Sequence, residues 1–181
     1  MTKRKVKINM LVSRKEMGES LFERDCENDD ELLEEEAEGN PRDAIVSMLS
    51  KMFDGMPEPD EMMMEGRLVT NETRVELIYE ESELTGMEGS ITAIGFHRSN
   101  PELMSMMRTG PVRTALTFEE GKRHYCLYNT PISDFEVCVR AVTVHNRLLE
   151  EGEVYLDYLI EIHGARAEHC RMQIKITPID D

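Results

Sequence analysis

One carboxylate, one guanidinium and three phenols stand where extended chain could bring them together: Glu81, Arg108, Tyr79, Tyr128 and Tyr158. Tyr79 and Glu81 are two residues apart, so in a strand they share a face, and Cys126 and Tyr128 do the same. If that face lines a barrel lumen, the set can orient a small polar or anionic ligand against an apolar floor. The same residues also make a purely structural arrangement, a Glu–Arg pair with tyrosines filling a core. Arg108 is the sharpest of them. Its strand neighbours Leu103, Met104, Met106 and Met107 are apolar, and Gly110-Pro111 follows. Burying its charge unpaired would cost on the order of several kcal/mol. It must therefore reach solvent at a rim, pair with a carboxylate such as Glu81, or meet an anionic ligand.

Other chemistries lack their residues. His97, His124, His145, His163 and His169 form no HxxxH or HxH pair, so no metal site is expected. No GxSxG elbow, GxGxxG or P-loop is present, and no catalytic residue or cofactor is assigned. Arg98, Arg113, Lys122, Arg123, Arg140 and Arg147, with Tyr125 among them, could offer a basic patch to single-stranded nucleic acid. Neighbouring Glu119, Glu120, Glu136 and Glu150 make a solvated strand face the better expectation, and nucleic acid is not expected as a partner.

The elements that must position these groups follow from pattern. At 181 residues the chain fits one domain, 1–181, large enough to bury a core without disulfides. The net charge of −16 is concentrated: Glu16 to Glu38 holds twelve acidic side chains against Arg24 alone, which accounts for −11. Such a run reads as a solvated, flexible insert, at about 15–40. Asn40-Pro41-Arg42-Asp43 then starts a short amphipathic helix at about 41–54, with Ala44, Ile45, Met48, Leu49, Met52 and Phe53 on one stripe. Its methionines suit either a plug at one barrel end or a face for a protein partner. The four cysteines lie far apart, no apolar run spans a bilayer and the basic N-terminus lacks a leader's apolar stretch. A cytoplasmic protein that does not enter membranes is expected.

Val6, Ile8, Met10 and Val12 alternate with polar residues as a half-buried strand does. Further strands are expected near 60–69, 73–82, 89–98, 102–108, 112–119, 122–130, 134–147, 152–163 and 168–177, separated by Gly, Asn and Pro turn signals. The fold is thus all-β with one short helix: an antiparallel meander closed into a lipocalin-like barrel of about eight to ten strands, since closure removes exposed edges. Parity puts Leu77, Tyr79, Leu116, Phe118, Cys126, Tyr128, Val137, Val139, Leu156, Tyr158, Ile160, Ile162, Met172, Ile174 and Ile176 inside. Glu76, Thr117, Arg123, Arg140, Asp157, Glu161, Arg171 and Lys175 face the other way, and the alternation blurs near 140–144.

Several ordered motifs carry a resemblance: Ile78-Tyr79-Glu80-Glu81, Thr85-Gly86-Met87-Glu88-Gly89, Arg108-Thr109-Gly110, Leu116-Thr117-Phe118-Glu119-Glu120-Gly121, Tyr128-Asn129-Thr130-Pro131 and Leu156-Asp157-Tyr158-Leu159-Ile160. In this run the chain resembles the bacterial DUF1934, or YwiB-like, family from about Val6 onward, apart from the acidic insert and helix. The resemblance implies a calycin-like barrel and no established activity, substrate or catalytic residue. Two features depart from expectation. Ile132-Ser133-Asp134 stands where a Gly would follow the Thr-Pro turn, and without any Trp the chain lacks the Gly-x-Trp of true lipocalins. Two function classes stay open: a module that holds a small ligand in the barrel lumen, and a non-enzymatic module that meets a protein partner through its outer wall or its acidic and helical insert.

Overall fold

The computed structural model describes residues 1–17, 57–83, 87–163 and 167–179. They form ten strands: β1 (Thr2–Glu16), β2 (Asp60–Thr70), β3 (Arg74–Glu80), β4 (Ile91–His97), β5 (Asn100–Thr109), β6 (Arg113–Phe118), β7 (Arg123–Asn129), β8 (Asp134–Arg147), β9 (Glu153–Ile162) and β10 (Glu168–Pro178). Each pairs antiparallel with its chain neighbours, and β1 pairs with both β2 and β10, which closes the barrel. The expected meander is therefore correct in type and strand count. β1 runs on through Glu16, further than the expected insert allows. The remainder of that insert and the helix at 41–54 lie outside the described residues.

Alternation builds the core. Val6, Ile8, Met10 and Val12 of β1 meet Leu77, Ile94, Met106, Phe118, Val139, Leu156 and Ile174 in one buried cluster. Every residue that parity placed inside is in that cluster or packed against it. The blur near 140–144 has a physical cause. The β8–β9 register slips between Ala141 and Thr143, so Val142 is an extra residue in a β-bulge and the inward face shifts from Val139 and Ala141 to Val144. The β6–β7 turn staples this bulge: Gly121 N donates to Ala141 O (3.0 Å) and Val144 N to Glu120 Oε2 (3.1 Å). That diversion leaves β6 and β7 only two register pairs, Arg113↔Asn129 and Thr114↔Tyr128, whereas every other seam has at least five.

Two turns that shape one end of the barrel are built differently. Gly110 ends β5 with φ +133°, and a Cβ there would sit 2.8 Å from Gly89 O, so only glycine lets this turn lie against the β3–β4 connection. After β7, Thr130 replaces the missing glycine. Its hydroxyl donates to Ser133 O (2.8 Å) and accepts from the backbone N–H of Ile132 and Ser133.

The outward face needs a correction. Arg140, expected on a solvated face, is buried, and so are Asp157 and Glu161, which point away from the lumen as parity expects. Asp157 joins His169 and Arg171 there, and Arg140 and Glu161 also have partners.

Candidate functional site

The site is assembled where β1, β5, β7 and β9 end and β10 begins. A cavity of ≈ 450 Å³ opens there, lined by Arg14, Arg108, Tyr128, Tyr158, Glu168 and Cys170 above Leu116, Ile160, Ile162 and Met172. Three expected residues, Arg108, Tyr128 and Tyr158, thus line one cavity.

Register explains why Arg108 meets Glu81. Tyr79 pairs with Thr92 and Thr92 with Arg108, so β3, β4 and β5 place the three in one inward row. Glu81 lies one row beyond on the same face, where its N–H donates to Ser90 O. Arg108 Nε reaches Glu81 Oε1 at 3.3 Å, and Thr92 Oγ1 donates to the same oxygen at 2.5 Å. The Glu81 side chain is only 2% exposed and that of Arg108 11%. Glu81 therefore stands behind the cavity as the anchor of Arg108. Tyr79 is not in the cavity lining; it packs in the core beside Thr92, and its ionisation is opposed by burial first and the Glu81 charge second.

Tyr128 donates from its hydroxyl to Met87 Sδ at 3.6 Å, which ties the β3–β4 connection to the rim. Tyr158 meets Phe118 edge-on, with ring centroids 4.9 Å apart. Burial raises its pKa, as does the neighbouring Cys170 thiol, while Arg108 and Arg14 pull the other way.

Arg14, Glu168 and Cys170 were not anticipated. Arg14 extends the inward series of Val6, Ile8, Met10 and Val12 by one step, and Glu168 precedes Cys170 and Met172 in the same way. Extending parity into the charged strand ends would have found them. Arg14 is exposed at the rim and Glu168 half-buried, and among the described residues neither side chain has an ion pair or hydrogen bond. Among the described residues Arg108 uses only Nε, which leaves its two Nη groups unengaged there.

Burial pushes the Cys170 thiol up to about 12, so at neutral pH it is no nucleophile. Among the described residues no group of three His, Cys, Asp or Glu is placed to hold a metal. Among the described residues there is no helix long and apolar enough to cross a membrane.

Tyr79, Tyr158 and Cys170 also set an alkaline limit. An acid whose folded pKa is raised contributes stability that is full below its unfolded pKa and lost as pH rises through the folded value. For Cys170 that window runs from 9.0 to about 12. Urea midpoints should hold steady to about pH 9 and fall progressively above it. A midpoint unchanged at about pH 11 would contradict the burial of these groups.

The fold is similar to that in the crystal structure of the YwiB protein from Bacillus subtilis, with a TM-score of 0.56 and 14% identity over 96% of this chain and 92% of that one. No curated protein matches the chain. The family model described as Domain of unknown function (DUF1934) matches residues 47–174, well over half of the 181. By that match, and with a YwiB-like barrel as its fold, the chain belongs to the DUF1934 family.

Proposed function

We propose that this chain is a small-ligand-binding module that takes an amphipathic anion into the open end of its barrel. One observation carries this reading: Arg14 and the Nη groups of Arg108 offer guanidinium donors, unengaged among the described residues, over an apolar floor in a single cavity. Guanidinium forks match carboxylate and phosphate geometry, and apolar walls hold the remainder of such a ligand. The volume, ≈ 450 Å³, lies within the roughly 300–1,000 Å³ of small-molecule sites. A reducing, cytosolic setting agrees with Cys126, Cys138 and Cys170, none of which forms a disulfide.

Arg14 gives the cleaner test, because no hydrogen bond or ion pair among the described residues depends on it. Arg14→Met should change unfolding free energy by less than ~0.5 kcal/mol. Octanoate and decyl phosphate should raise the melting temperature of the parent protein in proportion to the logarithm of their concentration, and the variant should lose that rise. The proposal is wrong if neither head group shifts the parent protein, or if Arg14→Met retains the full shift.

A further inference from the structure

The same cavity holds a feature that a simple anion does not explain. Glu168 lines it together with Arg14 and Arg108, half-buried, and its side chain has no hydrogen bond or ion pair among the described residues. Register puts Arg14 opposite Cys170 and Glu16 opposite Glu168, so Arg14 and Glu168 are diagonal neighbours on the inward face of β1 and β10. Even so, no salt bridge joins them. A ligand carrying only negative charge would be drawn to the arginines and repelled by this carboxylate in the same cavity. A ligand with a positive end turns that repulsion into a second attachment point.

Resting on the anion-binding reading above, we propose that the ligand is a zwitterion with an apolar body, of the class of hydrophobic amino acids and short peptides. Its carboxylate lies toward Arg108 and Arg14, its ammonium toward Glu168, and its side chains over Leu116, Ile160, Ile162 and Met172. Tyr128 and Tyr158, both on the lining, offer aromatic faces to the apolar body. Charge of both signs at one mouth then ranks plain fatty anions and plain amines below the zwitterion without excluding them, since each leaves one charged wall group unmatched.

Calorimetric titration of the full chain at about pH 6.5, where an α-amino group of pKa ~7.7–8.0 is charged, decides the matter. The probes are leucine, phenylalanine and the dipeptide Leu-Phe, each with its N-acetyl form, which lacks the ammonium, and its amide, which lacks the carboxylate. Octanoate is the plain anion. At least one free zwitterion should bind tenfold or more tighter than both of its blocked forms. In Glu168→Gln the preference over the N-acetyl form should vanish, with the N-acetyl form itself binding no more weakly than before. N-acetyl forms that equal their parents on the unsubstituted protein overturn this inference and leave anion binding standing. Glu168→Gln weakening zwitterion and N-acetyl form alike overturns it too, because Glu168 would then be positioning Arg14. Failure of every probe, octanoate included, removes both proposals together.

Discussion

Arg108→Met is expected to lower the unfolding free energy by ~3–5 kcal/mol, the loss typical of breaking a buried ion pair from one side. The reason lies in Glu81. Its side chain is 2% exposed, and its Oε1 accepts from Thr92 Oγ1 and from Arg108 Nε. Removing the guanidinium leaves the carboxylate with one neutral hydroxyl donor in a setting that water scarcely reaches. The Nε–Oε1 distance of 3.3 Å is longer than a tight charge-assisted contact, which favours the lower end of that range. Arg108→Met with Glu81→Leu should recover much of the loss, since an apolar pair of similar volume replaces an ion pair at little cost. Equilibrium urea unfolding of the two single variants and the double variant measures all three terms. A loss below ~1 kcal/mol in Arg108→Met, or a double variant no better than the single, would show that Arg108 is held by solvent at the rim.

That pair was legible because an arginine in a strand of Leu and Met has few places to go, and Glu81 stood on the matching face. Strand order was legible for a similar reason: a period of two repeated ten times, broken by turn residues, admits little besides a meander. The other half of the cavity was not. Arg14 and Cys170 meet only because the barrel closes, bringing the two ends of the chain side by side. Alternation in β1 is recognisable while its inward residues are Val, Ile and Met, and it becomes invisible once the inward residue is Arg14. Tyr79 was placed on the correct face, but a face does not tell whether a ring reaches the lumen space or packs into the core. The β8 bulge left only a blur, because one extra residue erases the parity signal without supplying another.

Facing away from the lumen does not make a side chain wet, as the wall of β9 and β10 shows. Asp157 points away from the lumen, yet its side chain is 4% exposed. Register sets it opposite Arg171 on β10, with His169 on the diagonal. Arg171 Nε donates to Oδ2 at 3.0 Å, and His169 Nε2 lies 2.5 Å from Oδ1. Tyr155, two residues earlier on the same face, is also buried, and its ionisation is opposed by burial first and by the Asp157 charge second. Arg171 is 11% exposed and its Nη1 lacks an acceptor, and among the described residues Asp157 is the one carboxylate bonded to it. Asp157→Leu should therefore cost ~3–5 kcal/mol, as large as any single change at the cavity, because it strands a buried guanidinium rather than a surface one. Asp157→Asn keeps one acceptor oxygen and should fall between that variant and the parent. Asp157→Leu with Arg171→Met should regain much of the loss, whereas Asp157→Leu with Arg108→Met, at a separate pair, should lose the sum of the two. Urea unfolding of this set reads the outcome directly. A change within ~0.5 kcal/mol for Asp157→Leu would mean that solvent screens this wall after all, and that its ion pairs are surface pairs of little consequence.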